Sequence, residues 1–321
     1  MAVETELKLS LPPGALARLR RHPALAGVRP QRLRLANTYY DTPALDLKRS
    51  KIALRHRRMN WGFLLTVKSA EPAAGGLARR SEWEAPSQPG AFDFSHVDDK
   101  ALRERLAVMV PMLQPAFTTD FLRTTWLVER GGARIEVALD RGEVRCEREG
   151  VVRVEPICEL ELELVSGPTA ALFDLALALQ ESLPLRPAVA SKAERGFRLF
   201  LGEATKPYRA GGSQLSGELA PLAAFCTVAF DCIEHLQRNE AGLCGDNPEF
   251  LHQARVAIRR LRTAMRFWGP VLPPGFAETF DPSWQALAQT LGEQRNLDVF
   301  VGHTLPPLHK RFPDRPSLRR L

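Results

Sequence analysis

The sequence predicts an α+β protein in two parts: an N-terminal antiparallel β-barrel with flanking helices, then an all-α C-terminal helical domain. Three observations predict it. Residues 156–164 read P-I-C-E-L-E-L-E-L, so Glu159, Glu161 and Glu163 alternate with Leu160, Leu162 and Leu164. Alternation at period two marks a strand with two unlike faces. The first residues repeat the pattern, with Val3, Thr5, Leu7 and Leu9 between Glu4, Glu6 and Lys8. Beyond residue 217 the period changes to that of amphipathic helices.

The elements follow in order. Pro13–His22 reads as a helix. Leu54–Arg57 and Gly62–Lys68 read as strands joined around Met59-Asn60-Trp61-Gly62, and Arg80–Glu84 as another after a loop at Pro72–Gly76. Asp120–Glu129 and Ala133–Asp140 flank Gly131-Gly132, a hairpin signal. Gly142–Cys146 and Val151–Glu155 flank a turn at Glu149-Gly150, and the acidic strand follows. Thr169–Ser182 reads as a helix with Thr169 as N-cap, and Lys192–Leu201 as a further helix. Residues 203–217, with Lys206-Pro207 and Gly211-Gly212, read as a linker between a domain at 1–202 and one at 218–321. Helices are expected at Glu218–Glu240, Phe250–Trp268 and Ser283–Phe300.

Composition excludes some classes. The 321 residues carry a formal net charge of +7, which suggests an anionic partner without naming it. The five cysteines (146, 158, 226, 232 and 244) form no C-x-x-C pair and suit reduced thiols in a cytoplasm. No basic n-region with an apolar core opens the chain, and no eighteen-residue apolar run occurs, so neither a signal peptide nor a membrane partner is expected.

Several strands place ionised groups on one side and apolar groups on the other. Arg55 and Arg57 share a face, as do Arg80, Glu82 and Glu84, and Glu136 and Asp140. Unpaired charge cannot face oil. Each charged face could be a solvated surface, but a closed barrel with a polar lumen satisfies all of them together. Basic groups there would bind a polyanion, and acidic groups would hold Mg²⁺ or Mn²⁺. Metal with a cationic clamp is the equipment of phosphoryl chemistry.

Glu4-Thr5-Glu6-Leu7-Lys8 matches an E-x-E-x-K signature. With Tyr39-Tyr40-Asp41-Thr42-Pro43, the L-R-H-R run, Lys68, the acidic strand and Ser191-Lys192-Ala193-Glu194-Arg195-Gly196, it resembles the CYTH domain of triphosphate tunnel metalloenzymes. The resemblance implies that Glu4, Glu6, Glu159 and Glu161 hold the metal. It implies that Lys8, Arg55, Arg57, Lys68, Arg80 and Arg123 line the tunnel. Lys192 and Arg195 would lie on a segment that plugs it and reaches a terminal phosphate. Asp41 reads as a turn residue bonding local backbone. The implied reaction is hydrolysis of inorganic triphosphate (tripolyphosphate), by a water that a carboxylate, or no base at all, deprotonates. Thiamine triphosphate, a nucleoside triphosphate and class IV adenylate cyclase chemistry are alternatives, as is a non-catalytic polyphosphate-binding protein.

In residues 251–268, His252, Arg255, Arg259, Arg262 and Arg266 fall within an arc of about 80°. No acidic residue interrupts this stripe, so the arginines repel one another unless an anion is present. H-x-x-R-V-x-x-R-R-L-R is similar to the CHAD domain, and Glu293–Val299 resembles its R-D-x-D-V motif with Asn296 where an aspartate is usual. This resemblance implies inorganic polyphosphate binding by a truncated helical domain. Nucleic acid is not expected, because the basic helix lacks interleaved aromatics.

Overall fold

The computed structural model describes residues 2–59, 62–70 and 77–313, which separate into two compact units, Met1–Ala204 and Thr205–Leu321.

The first unit is a barrel-like antiparallel sheet. Its strands are β1 (Ala2–Ser10), β2 (Gln31–Asp41), β3 (Ile52–Met59), β4 (Gly62–Ala70), β5 (Leu77–Ser87), β6 (Gln114–Arg130), β7 (Ala133–Arg148), β8 (Val151–Ser166) and the short β9 (Arg186–Pro187). They run in the order β5-β4-β3-β2-β6-β7-β8-β1-β9, and β1 also pairs with β5. That last pairing, from Ala2↔Glu82 to Leu7↔Leu77, closes the ring. Closure removes the free edges and gives the sheet an inside.

Two apolar layers cover the outside. Leu7, Leu9, Trp126, Val137, Leu139, Leu160 and Leu162 pack beneath α1 (Leu16–Arg20) and α4 (Ala170–Gln180), whose Leu172, Leu175 and Leu179 are buried there. Leu54, Leu65, Val67 and Trp83 pack beneath α2 (Asp46–Arg49) and α3 (Lys100–Met109) through Leu47 and Leu106. Each such leucine contributes roughly 1.5–3 kcal/mol by leaving water. Leu7 and Leu9 of β1 thus face out, which turns Glu4, Glu6 and Lys8 inward.

Two expected breaks are absent. Residues 133–148 form one strand rather than two, and the 151–155 segment continues directly into the acidic strand. Gly142 does not end β7. A Cβ there would lie 2.1 Å from the Asp120 carbonyl oxygen, so the glycine lets two strands pass closely. Thr169 precedes α4, but its hydroxyl makes no capping bond. Asp41 does bond local backbone. It accepts from the amides of Thr42, Leu47 and Lys48 and so caps α2.

One end of the barrel interior is apolar. Leu35, Tyr39, Phe117, Phe121, Val144 and Ile157 gather there with Phe197 of α5 (Lys192–Leu201). Ser191 and Glu194 form a capping box at the start of α5.

The second unit holds α6 (Pro221–Glu240), α7 (Pro248–Phe267), α8 (Phe276–Val299) and α9 (Leu305–Arg311). Phe225, Cys232, Leu261 and Met265 form its core. The expected linker is not free throughout. The Asn239 side chain accepts from the Tyr208 amide at 3.0 Å and donates to its carbonyl at 2.9 Å.

Candidate active site

Strand register assembles the interior charges. Arg123 stands opposite Asp140, and Asp140 opposite Glu159, so three strands present one row. Lys8 stands opposite Glu161. The side chains follow. Arg123 grips Asp140 with Nε at 2.8 Å and Nη2 at 2.7 Å, and also donates to Glu161. Lys8 Nζ lies 3.3 Å from Glu161 and 3.4 Å from Glu6. Lys192 Nζ reaches Asp140 at 2.6 Å, Glu161 at 3.0 Å, and Glu159.

Asp140, Glu159 and Glu161 are buried, and each offers an oxygen within 4.8 Å of the other two. Three hard anionic oxygens converging on one point fit Mg²⁺ or Mn²⁺. The Lys192 ammonium, bonded to all three carboxylates, lies among those oxygens. Burial opposes the charge on Glu161, but Lys192, Lys8 and Arg123 outweigh it and hold the carboxyl well below its usual range. Burial likewise opposes the charge on Lys192, and Asp140, Glu159 and Glu161 outweigh it, raising its pKa.

The other residues named from the sequence divide into two groups. Glu4 and Glu6 are not in the triad: Glu4 bonds Lys68 at 2.7 Å, and Glu6 meets Lys8. Glu163 also stands apart. Burial, reinforced by Glu4 and Glu136, pushes its carboxyl up to about 7. On the opposite wall, Lys68 bridges Glu4 and Glu82, the latter at 2.8 Å. Arg57 donates to Asn37 at 3.1 Å and lies 3.4 Å from Glu84. Arg55 donates to the Tyr39 hydroxyl at 3.2 Å, and its Nη2 lies 3.8 Å from Glu82 and 4.0 Å from Glu84, but neither Nε nor Nη2 makes a hydrogen bond among the described residues although both are buried. Burial opposes its charge, and Tyr39 and Glu82 still raise its pKa. Arg195 meets Glu155 at 2.6 Å and Glu159 at 3.2 Å. The Arg80 side chain lies outside the described residues.

Sequence reasoning left Asp140 out of the site. Its only signal was a face shared with Glu136, and the register that sets it beside Glu159 is not visible until β7 and β8 are paired. Asn37, Tyr39 and Thr66 were missed for the same reason. Each is an uncharged residue lying opposite an arginine of β3: Arg57↔Asn37, Arg55↔Tyr39 and Arg55↔Thr66.

In the helical unit, His252, Arg255, Arg259, Arg262 and Arg266 line one groove of about 270 Å³. No acid of α7 itself interrupts the stripe, but the neighbouring helix supplies one. Asp281 of α8 takes Arg262 in a bidentate pair at 2.6 and 3.0 Å, and Gln285 accepts at 3.3 Å.

Among the described residues, no helix is long and apolar enough to cross a membrane. A model of the CYTH domain matches residues 2–197, and a model of the CHAD domain matches residues 227–321. An inorganic triphosphatase of Haemophilus influenzae is 35% identical over 211 residues, covering 62% of this chain. The chain spans about half (55%) of that relative's length. Among solved structures, a Hippeastrum protein described as having a dominant triphosphatase activity is 22% identical. It covers 63% of this chain and 97% of its own, with a TM-score of 0.45. A Pyrococcus horikoshii protein is 21% identical, covering 61% of this chain and 99% of its own, with a TM-score of 0.41. The family match over residues 2–197, more than half of the sequence, shows that the chain belongs to the CYTH domain family.

Proposed function

We propose that the barrel hydrolyses the terminal phosphoanhydride of tripolyphosphate with Mg²⁺ or Mn²⁺. One observation carries this reading. A buried carboxylate triad faces a wall of arginine and lysine, and in that wall Arg55 holds two buried N–H groups without a hydrogen bond. A buried donor without a hydrogen bond costs about 1–3 kcal/mol. An anion bound in the lumen satisfies it.

Asp140, Glu159 and Glu161 would hold the metal, which supplies charge neutralisation and activation of water. Arg55 and Arg57 would orient the phosphoryl oxygens, with Arg123 and Lys8 steadying the triad from the side. A water oxygen bonds to the terminal phosphorus, the bridging P–O bond breaks, and diphosphate leaves with its charge held by the cationic wall. The water's proton passes to a carboxylate or to solvent. Preformed cations aimed at spreading charge need little reorganisation, which is where such a site gains rate.

We further propose that the groove on α7 binds inorganic polyphosphate through His252, Arg255, Arg259 and Arg266, with Arg262 shared with Asp281. The five free thiols support a reducing compartment such as the cytoplasm.

The test is phosphate release from tripolyphosphate, ATP, thiamine triphosphate and long-chain polyphosphate. Metal-dependent turnover that favours tripolyphosphate is expected. Preference for another substrate replaces the assignment, and retention of polyphosphate without turnover on any of them moves the protein to the binding class.

A further inference from the structure

We infer that Lys192 is the built-in counter-ion of the carboxylate triad, and that its ammonium and the divalent ion compete for one position. The inference rests on the metal reading above. Lys192 Nζ bonds one oxygen of each of Asp140, Glu159 and Glu161, and these are the groups whose oxygens converge to hold a metal. The same oxygens cannot serve both cations. A magnesium-type ion needs them at roughly 2.0–2.1 Å, and an ammonium at the centre would then stand in direct repulsion with it.

The depth to which Lys192 reaches is set by how α5 sits. Its N-terminus is fixed by the Ser191–Glu194 capping box. One turn along, Gly196 lies against the ring of Phe117, where a Cβ would come within 2.0 Å of Cε2. Phe197 meets the same ring edge-on at 5.1 Å. Only a residue without a side chain lets the helix approach this closely. Arg195 adds a second cation from the same helix, on the other oxygen of Glu159. Helix α5 therefore docks through the groups that would ligate the metal.

The consequence is coupling. A metal ion arriving alone must displace Lys192 from three buried carboxylates. A triphosphate offers that ammonium other anionic oxygens, so metal and triphosphate each promote binding of the other. Lys192 then makes the site accept the pair together rather than the metal by itself.

The experiment measures Mn²⁺ binding without substrate, by electron paramagnetic resonance of the free ion, on the full chain and on Lys192→Met and Gly196→Ala. Circular dichroism establishes that each is folded. Both variants are expected to bind Mn²⁺ more tightly, Lys192→Met by about tenfold or more. A non-hydrolysable triphosphate analogue should tighten Mn²⁺ binding in the wild type and do so much less in Lys192→Met. In wild-type protein, needing no variant, Mn²⁺ should accelerate amide exchange across residues 192–201. Equal or weaker Mn²⁺ binding in the variants, or slower exchange across α5, overturns the counter-ion role while leaving the metal site standing. Absence of Mn²⁺ binding in all the folded proteins overturns the metal reading, and the inference with it.

Discussion

Arg123 holds Asp140 with two parallel hydrogen bonds, at 2.8 and 2.7 Å, across a pair that strand register sets directly opposite. Asp140 is fully buried and is also bonded by Lys192. The carboxylate thus ties β6 to α5 through β7. An isolated buried ion pair adds little net stability, but removing one partner of such a pair is strongly destabilising.

Asp140→Asn should therefore lose both activity and stability. Turnover should fall by at least the roughly 10–100-fold that losing a supporting group costs at a metal centre. Unfolding should cost less, by up to about 3 kcal/mol, because an amide can still accept from Arg123 while Lys192 loses a charge partner. Phosphate release and denaturant melts check the two. Wild-type turnover in a folded Asp140→Asn protein would remove Asp140 from the site.

Arg55→Lys keeps the charge and loses the planar fork. Its Nε and Nη2, which lack hydrogen bonds among the described residues, are the groups assigned to substrate, so kcat/KM should drop by roughly 100-fold with little change in melting temperature. An unchanged kcat/KM would mean that those buried N–H groups never meet the phosphates.

Asp281→Asn releases Arg262 into the groove on α7. Polyphosphate should bind about two- to fivefold more tightly, the range set by the worth of a partly exposed ion pair. The gain should shrink as salt rises. Filter binding in graded salt measures it, and weaker binding would show that Asp281 orients Arg262 for the ligand rather than competing with it.

His235 gives the helical unit a pH dependence. Burial lowers its pKa below 6.5, against the smaller opposing effect of the hydrogen bond to Gln253. As pH falls through 6.5 the unfolded chain takes up a proton that the folded chain does not, so stability declines between that value and the lower folded one. Denaturant midpoints of the full chain, followed by a probe in the helical unit, should fall over this window, and His235→Gln should flatten that part of the profile. A wild-type profile that is flat there would contradict the assignment.

Much of the architecture was legible because it follows from alternation. Once Leu160 and Leu162 had to be buried, Glu159 and Glu161 had to face the other way, and a lumen was the economical place for them. What alternation cannot supply is registration between strands. It shows that Asp140 and Glu159 are each on the inner face, but not that they stand opposite one another. Nor does it reveal close approaches. Gly142 read as the start of a new strand, yet here it sits within β7 and admits the Asp120 carbonyl. The contribution of α7 was visible as a cationic stripe, whereas Asp281 lies a helix away in sequence and came into view only when α8 packed beside it.

On the proposed reading, the carboxylate triad would make the barrel a metal-dependent triphosphatase. The most direct test of that reading is tripolyphosphate hydrolysis across a Mg²⁺ and Mn²⁺ titration, with EDTA, in the wild type and in Glu161→Gln. Turnover that appears with metal, vanishes with EDTA and falls by about 100-fold or more in Glu161→Gln is expected. Turnover that persists in EDTA, or that is unchanged in a folded Glu161→Gln protein, would contradict it.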